Sequence, residues 1–478
     1  MDKSEKNDIG LEKIFSKSFC QYGATKFGYK AFVGGLLIIL FTSFAIRKYL
    51  TSLYPIITKY VCMPMVNVCF LPAVNSQLAT SARLRKLMGA NRMLPVAVCN
   101  VVEPRSDFCE IEGDIRVEEK SSSIYFASST NESWRIKPYA RKGDNRAMNR
   151  VTELSIKSFL ENDKQAAAPD CSMKHNTPAI IFSVGGYTGN QFHDFTEILL
   201  PLFLTSHHFH REVQFLTTNS KPHWLKKYEP VIKQLSRYPT IDIDKEGDII
   251  HCYQKVIVGL KHHKDLGVDP TKIPRGYSLT DFAKFLTMSY SLERSSAIKM
   301  DEKTGKKKPR LLLLSRKKTR RFTNEEEIVT MAKDLGYEVI VGEPGVTATL
   351  SNFTHIVNSC DVMVAIHGAG CTNLLFLPSN AILIQIFPLG PLEKFGKRIY
   401  GEPALAMNLR YLEYKIKVEE SSLVEQYPSD HDVFRDPRSF FKQGWSAVKA
   451  VYLDKQNVKL DIARFRGTLL EALELLHH

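Results

Sequence analysis

The chain has 478 residues, which is enough for two or three domains of ordinary size. Apolar residues make up 44% and charged residues 24%, so the composition excludes a largely disordered chain, a collagen-like repeat and a protein with many membrane spans. The 65 basic and 51 acidic residues give a formal net charge of +14, which favours an anionic partner. The cysteines lack the paired spacing of a zinc module.

An uncharged apolar run over residues 31–46 stands near the start of the chain, with Lys30 before it and Arg47 after it. A bilayer core needs about 17–25 apolar residues, and flanking basic side chains can reach the membrane surface. The pattern predicts a transmembrane signal anchor over 30–49. A cleaved signal peptide and a buried core helix are the alternatives; the long leader disfavours the first, and the basic residues at both ends disfavour the second.

Most of the chain follows this run, so the economical topology has a cytosolic tail over 1–29, a stem over 50–93 and a lumenal body. A lumenal body gives meaning to two acceptor sequons, at Asn131 and Asn352, which are predicted glycosylation sites.

An oxidising lumen also permits disulfides among the eight cysteines that follow the anchor. Cys99 and Cys109 are the preferred pair, because they close a short loop between two strand-like runs. Buried free thiols are the alternative.

Strand-like and helical runs alternate from residue 94 onward, and a charged stretch over 299–309 resembles a linker. Continuous apolar strands in such alternation predict parallel sheets covered on both faces, here in two α/β domains, 94–298 and 310–478, that face a cleft. The predicted strands are 94–98, 179–184, 213–218, 255–260, 310–315, 337–341, 361–366 and 381–387. The predicted helices are 191–208, one that begins at Glu325, 347–358 and 371–376.

A glycine-rich turn, His367-Gly368-Ala369-Gly370, directly follows the predicted strand 361–366. Open α/β sheets bind ligands at such strand-to-helix turns, where glycines let a phosphate approach the backbone N–H groups. His367 could add a donor to a phosphate or a sugar. The alternative is a structural turn whose histidine is satisfied locally.

A basic run, 315–321, ends the first strand of the same domain. Parallel strands place this loop and the glycine turn on one edge of the sheet, so Arg316 and Arg320 could reach a diphosphate bound there. Lys317, Lys318 and Arg321 are interpreted as solvated. A nucleic-acid groove is the rival use of such a run, and a lumenal location removes that partner.

The helix that begins near Gln191 carries His193, Asp194 and Glu197 in its first turns. One of these side chains could take a proton from an acceptor hydroxyl. The alternative is that the acidic residues stand at a helix start for dipole reasons alone.

Five segments in chain order resemble glycosyltransferase family 61, and together they extend over most of the predicted lumenal body. Three of them carry the candidate residues just described, and the first and the last resemble the plant branch of the family. The segments are 104–116, 189–203, 314–320, 364–373 and 452–458. Cys371 departs from the larger apolar residue that is usual after the glycine turn.

The resemblance implies a single-pass type II enzyme of the Golgi membrane with a GT-B fold, that is, two Rossmann-like domains facing a cleft. It implies inverting transfer of a pentose, arabinofuranose or xylose, from a UDP-sugar to xylan or another glycan, with no metal and no cofactor. A complex with other Golgi glycosyltransferases is a further possible partner. The acceptor-side domain would supply Asp194 as the base, with His193 as the alternative. The donor-side domain would hold UDP through Arg316, Arg320, His367, Gly368, Ala369, Gly370, Thr372 and Asn373.

Three other functions stay open at this point. One is a different transfer within the family, such as xylosylation of N-glycans; the second is carbohydrate binding without catalysis; the third is nucleic-acid binding.

Overall fold

The structure, a computed structural model, describes residues 96–160, 168–245, 247–272, 276–300, 307–343 and 349–477. The predicted cytosolic tail, signal anchor and stem lie outside the described residues, as does most of the predicted linker. Within the described ranges, no helix is both long and apolar enough to cross a membrane.

Fifteen strands in the described ranges form two sheets, and the fold is mixed α/β. The strands are β1 (Val96–Asn100), β2 (Phe108–Glu118), β3 (Ser123–Ala127), β4 (Ser133–Ile136), β5 (Leu154–Phe159), β6 (Met173–Lys174), β7 (Ala179–Ser183), β8 (Gln214–Thr218), β9 (Ile241–Asp242), β10 (Ile250–Val258), β11 (Arg310–Leu314), β12 (Glu338–Gly342), β13 (Val362–Ile366), β14 (Ile382–Phe387) and β15 (Arg410–Lys415).

Helices connect and cover these strands. The α-helices are α1 (Asn145–Met148), α2 (Gln191–His193), α3 (Leu200–Ser206), α4 (Pro222–Lys227), α5 (Glu229–Leu235), α6 (Leu279–Ser289), α7 (Glu325–Asp334), α8 (Leu350–Asn358), α9 (Glu393–Gly396), α10 (Glu402–Ala406), α11 (Asp432–Arg435), α12 (Ser439–Lys442), α13 (Trp445–Val448) and α14 (Ile462–His477). Shorter 3-10 segments are His207–Phe209, Ile243–Lys245, Pro270–Lys272, Ala369–Phe376, Val418–Glu420 and Ser422–Glu425, and π-helical turns are Asp194–Leu199, Lys397–Gly401 and Lys449–Asp454.

The second sheet is wholly parallel, with the strand order β12-β11-β13-β14-β15. β13 and β14 are buried along their whole length, as continuous apolar strands covered on both faces should be. The four strands predicted for this half are all present, within one or two residues of the expected bounds. The order reverses between β11 and β13, which makes that point the topological switch of the sheet.

The first sheet departs from the prediction because it is mixed rather than parallel. Its order is β4-β5-β3-β2-β10-β7-β8-β9, with β1 paired to β2 and β6 to β10. β7, β8 and β10 are parallel neighbours, but β2 runs antiparallel to β10, to β1 and to β3. Buried and more exposed residues alternate along β2, the pattern of a strand with one solvated face, which antiparallel pairing tolerates and a doubly covered parallel sheet does not.

One apolar cluster runs through both halves of the described chain. Phe195, after the first sheet's β7, packs edge-on against Phe376, after the second sheet's β13, with ring centroids 5.7 Å apart. Phe282 of α6 also contacts Phe195, at 6.4 Å. These side chains are at most 1% exposed, so burial of this cluster holds the ends of β7 and β13 in a fixed relation.

The structure pairs Cys99 with Cys109, directly opposite each other on β1 and β2, as the sequence predicted. A second disulfide, which the sequence analysis did not predict, joins Cys171 to Cys252 across 81 residues.

Candidate active site

A cavity of about 230 Å³ opens at the switch point of the second sheet. Its wall comes from the end of β11 and the loop after it, from Glu343 after β12, from Ala369 and Gly370 in the second half of the glycine turn, and from Gln191 at the start of α2. The strand order therefore brings the predicted basic loop and the predicted glycine turn to one edge, as parallel topology requires.

Gly368 has to be glycine at its position in the turn. Its φ of 152° is in a region that other residues rarely adopt, and a Cβ there would lie 3.0 Å from Nη1 of Arg316 and 3.2 Å from Nη2 of Arg320. The missing side chain lets both guanidinium groups approach the backbone. After it, residues Ala369–Phe376 form a 3-10 helix rather than the predicted α-helix.

The two arginines lie side by side, and neither forms an ion pair with a carboxylate in the described part of the chain, although Glu343 lies on the wall of the same cavity. Arg316 donates from Nε to the Thr319 carbonyl at 3.0 Å, and Arg320 is only 8% exposed with an Nε that has no hydrogen-bond partner. Burial and the neighbouring charge of Arg316 lower the pKa of Arg320 to about 10. Adjacent, partly desolvated guanidinium groups favour a bidentate anion such as a phosphate.

His367 is a buried, neutral hydrogen-bond donor. Gln385 of β14 donates its amide N–H to Nδ1 of His367 at 2.8 Å, and its carbonyl oxygen accepts from the Tyr411 hydroxyl at 2.9 Å. Burial, Arg320 and Arg316 lower the pKa of His367 to about 3. Because Nδ1 accepts, the proton is on Nε2, and His367 can donate to an oxygen but cannot act as a base through Nδ1.

Asn373 connects the glycine turn to the first half of the chain. Its amide donates to the Gly370 carbonyl at 2.8 Å, and its oxygen accepts from Nε2 of Gln191 at 3.0 Å. Asn373 and Thr372 are fully buried, so these two predicted donor residues lie beneath the turn rather than on the cavity wall.

The helix that carries the predicted base begins at a regular cap and then widens. Asn190 accepts from the Phe192 N–H at 3.0 Å, which satisfies one free donor at the start of α2. The next turn, Asp194–Leu199, is π-helical, a local distortion that is frequent at functional sites.

Asp194 is enclosed by hydrogen-bond donors. Its carboxylate accepts from the Trp224 indole at 2.9 Å, from the Tyr228 hydroxyl at 2.8 Å and from the Gly189 N–H at 2.9 Å. The side chain is completely buried. These contacts tie α4 and the turn before α2 to the helix, which is the arrangement of a structural anchor.

Glu197 organises a second cluster that reaches the surface through His193. One carboxylate oxygen contacts Nδ1 of His193 at 2.7 Å and Nη1 of Arg141 at 2.8 Å, while the Tyr139 hydroxyl donates to the other. Glu197 is fully buried, whereas the His193 side chain is 19% exposed. This contact fixes the ring with Nε2 as the nitrogen available to an outside proton.

Ring contacts connect His193 with His367. Phe192 lies between His193, at 5.4 Å, and Tyr400, at 5.7 Å, and Tyr400 is 5.7 Å from the ring of His367. The structure thus brings His193, one of the two candidate bases, and the glycine turn into one contiguous site.

Sequence reasoning missed four residues of this site: Tyr139, Arg141, Gln385 and Tyr400. Tyr139 and Arg141 follow β4 in a segment without a motif, and they meet Glu197 only through the fold. Gln385 offered the one available signal, since it is the single polar residue inside the fully buried strand β14.

Asn131 and Asn352, the predicted glycosylation sites, are both exposed. The described residues contain no group of three or more potential metal ligands.

Fold and site together define an α/β protein with two adjacent guanidinium groups at a glycine turn, beside a histidine that a buried glutamate orients. A family model described as Glycosyltransferase 61 matches residues 191–384, which include α2, both arginines and the glycine turn. An alpha-1,3-arabinosyltransferase of Oryza sativa subsp. japonica is 46% identical over 384 residues, which cover 80% of this chain and 65% of that protein.

Two further relatives extend the match. A beta-1,2-xylosyltransferase of the same organism is 43% identical, covering 79% of this chain and 84% of that protein. A xylan glycosyltransferase of Arabidopsis thaliana is 37% identical, covering 78% of each. The chain therefore belongs to glycosyltransferase family 61.

The chain spans about 65% of the length of the rice arabinosyltransferase. Among solved structures, an iron-containing dodecameric glycosyltransferase from enterotoxigenic E. coli is 11% identical with a TM-score of 0.25, covering 63% of this chain and 80% of that one.

Proposed function

We propose that this protein is an inverting glycosyltransferase that moves a pentose from a UDP-sugar to a xylan backbone. The observation that carries the proposal is the pair Arg316 and Arg320, two guanidinium groups at a glycine turn that form no ion pair among the described residues. The relatives' names, arabinosyltransferase, xylosyltransferase and xylan glycosyltransferase, support a pentose donor and a xylan acceptor.

The donor half of the reaction is assigned to the turn after β13. Arg316 and Arg320 would hold the diphosphate, the backbone N–H groups of the turn would face it, and neutral His367 would donate from Nε2. Two positive charges beside the leaving group stabilise UDP as it departs, which is electrostatic catalysis in a partly desolvated site. On this basis we propose that transfer needs neither a metal nor a cofactor.

The acceptor half is assigned to α2, with His193 rather than Asp194 as the base. Nε2 of His193 would take the proton of the acceptor hydroxyl. The hydroxyl oxygen bonds to the anomeric carbon as the bond between that carbon and UDP breaks, and UDP leaves with the electron pair. Glu197 would orient the ring through Nδ1. The three donors around Asp194 leave its carboxylate no route to a hydroxyl.

We further propose a GT-B arrangement and a type II location in the Golgi membrane, with the described residues in the lumen. Two disulfides support an oxidising compartment. A complex with other Golgi glycosyltransferases remains part of this proposal.

The test is a donor comparison with the secreted body, residues 50–478. Xylo-oligosaccharides are incubated with UDP-arabinofuranose, UDP-xylose or UDP-GlcNAc, with and without a chelator, and the products are weighed by mass spectrometry. Addition of one pentose from one donor, unchanged by the chelator, supports pentose transfer to xylan without a metal, and the anomeric configuration of the product by NMR tests inversion. Loss of product with the chelator overturns metal independence alone.

A folded sample that binds UDP but modifies only N-glycans moves the acceptor from xylan to the N-glycan alternative. A folded sample that binds no UDP overturns the transferase assignment.

A further inference from the structure

Trp445 is an exposed indole in a chain with few tryptophans. Of the three tryptophans, Trp224 is 1% exposed and anchors Asp194, whereas Trp445 is 45% exposed at the start of α13. Gly444 precedes it with a φ of 92°, a left-handed conformation that begins the short helix at the indole. A single exposed apolar side chain is ordinary, so the question is whether other aromatic rings adjoin this indole.

Ring contacts join this indole to the candidate active site. Trp445 lies 5.5 Å from Phe395 of α9, and Phe395 lies 6.1 Å from His367 in the donor turn. The Arg398 guanidinium carbon lies 5.9 Å from the centroid of the Phe395 ring. Trp445 is therefore the exposed end of a run of ring contacts whose middle members, His367 and Tyr400, are buried and whose other end is His193.

We propose that Trp445 and Phe395 form a stacking platform for a pyranose residue of the acceptor polysaccharide, at a position several residues from the reacting one. The proposal rests on the proposed function. The faces of a pyranose ring carry C–H groups, and flat aromatic side chains offer them apolar area with little loss of side-chain entropy. A polymer that reacts at His193 extends beyond the reacting residue over the protein surface, and Trp445 is an exposed aromatic side chain whose ring contacts lead back to the glycine turn.

The uracil ring of the donor is the competing occupant of an aromatic platform. Small-molecule sites enclose most of their ligand, whereas Trp445 is nearly half exposed. Moreover, the cavity beside Arg316 is lined from β11, the glycine turn and Gln191, and neither Phe395 nor Trp445 is part of its wall. Both observations favour the polysaccharide.

Acceptor-length kinetics of the wild type and Trp445→Ala test the platform. We expect the variant to raise the KM for xylohexaose about 5- to 10-fold, the effect of one lost aromatic contact. The KM for xylobiose and the KM for the UDP-sugar should change less than about twofold. Trp445→Phe, which keeps a ring, should recover most of the loss, and Leu470→Ala on α14 serves as a control for lost exposed apolar surface.

Equilibrium fluorescence tests the platform without relying on turnover. Xylohexaose should shift the emission of the wild type to shorter wavelength and protect it from acrylamide, and both effects should vanish in Trp445→Phe. If the wild type shows this response but transfers no pentose, the platform stands and the proposed function fails.

Three results would overturn the platform: an unchanged length dependence in Trp445→Ala, an increase in the donor KM instead of the xylohexaose KM, or a wild-type fluorescence that xylohexaose leaves unaltered. The melting temperature of each variant is measured alongside, and Trp445→Phe decides the question should Trp445→Ala fail to fold.

Discussion

The two sheet edges that meet at the site handle charge in opposite ways. Beside the first sheet, every carboxylate of the site has donors: Asp194 accepts from three groups and Glu197 from Tyr139, Arg141 and His193. Beside the second sheet, Arg316 and Arg320 lie next to each other and form no ion pair within the described ranges, with Glu343 on the wall of their cavity and Asp454 acting on Arg320 electrostatically. The first edge is satisfied as it stands, while the second keeps an excess of positive charge that suits an anionic ligand.

Because of this difference, the first edge is suited to holding a side chain in place and the second to binding a ligand. A satisfied buried network fixes the position of a side chain, here the ring of His193. An unsatisfied cationic pair destabilises the empty fold slightly and gains free energy when an anion arrives. The comparison therefore predicts that variants at the first edge lose stability or turnover, and that variants at the second edge lose ligand affinity.

The largest effect is expected at the edge of the second sheet that carries Arg316 and Arg320, called the cationic edge below. Arg320→Met removes a buried charge that forms no ion pair among the described residues, so we expect UDP affinity and kcat/KM to fall about 100-fold or more while the melting temperature stays unchanged or rises. Calorimetric titration with UDP and a thermal melt measure the two. Arg321→Met, an exposed neighbour, should leave both within about twofold. A large fall in stability of Arg320→Met would mean that Arg320 forms an ion pair in the folded protein.

The next effect distinguishes the two candidate bases. His193→Ala should lower kcat by about 10²- to 10⁴-fold with UDP affinity near wild type, because it removes the proton acceptor. Glu197 keeps Tyr139 and Arg141 as partners, so the loss in unfolding free energy should be only about 1 to 2 kcal/mol.

Asp194→Asn replaces a carboxylate that accepts from Trp224 and Tyr228, so we expect a loss of about 3 kcal/mol in unfolding free energy.

Denaturant unfolding and single-turnover transfer are compared for both variants. A stable, inactive Asp194→Asn together with an active His193→Ala would return the role of base to Asp194.

The sequence pattern was sufficient to predict the cationic edge of the second sheet, but not the hydrogen-bond network beside the first sheet. Leu311–Leu314 and Val362–Ile366 are uninterrupted apolar runs, so their parallel pairing, and hence the meeting of their loops, follows from sequence alone. The enclosure of Asp194 depends on Trp224 and Tyr228, 30 and 34 residues away, and spacing along the chain does not show that contact. In a sequence, an acidic residue at a helix start gives the same pattern whether its carboxylate is a catalytic base or a buried structural group.

The antiparallel pairing of β2 and the strands β3 and β4 were missed for a related reason. Apolar and polar residues alternate along β2 and β4, so no continuous apolar run marks them, and the turn over Glu119–Ser122 that joins β2 to β3 lacks the glycine or proline that marks many turns. The mixed character of the first sheet is therefore a property of pairing between strands, which the alternation of strands and helices did not indicate.

A smaller effect concerns pH and the buried donor of the cationic edge. Burial, Arg320 and Arg316 lower the pKa of His367 to about 3, whereas an unfolded histidine titrates near about 6.5. Between these values the unfolded chain binds a proton that the folded chain does not, so stability falls as the pH drops below about 6.5. At about pH 5 this one group should lower the unfolding free energy by about 2 kcal/mol.

Urea unfolding at about pH 7.5 and about pH 5 checks the expectation. His367→Gln should show a pH-dependent loss that is smaller by about 2 kcal/mol than that of the wild type, while the exposed His355→Gln should behave as the wild type does. Equal losses in all three proteins would mean that His367 is protonated in the folded state.

The smallest effect lies where the two edges touch. Gln191 of α2 donates to Asn373 beneath the glycine turn, a single hydrogen bond between the acceptor side and the donor side. Gln191→Ala should lose about 1 kcal/mol, seen as a several-fold fall in kcat/KM with UDP affinity nearly unchanged, because the bond aligns the two edges without holding the anion. Gln191→Glu provides a sharper test, since Asn373 already donates its amide to Gly370 and offers only its oxygen to residue 191. Two oxygens would then face each other, so kcat/KM should fall further than in Gln191→Ala. If both variants transfer at the wild-type rate, the alignment of the two edges depends on the shared apolar cluster around Phe195 and Phe376 and not on this bond.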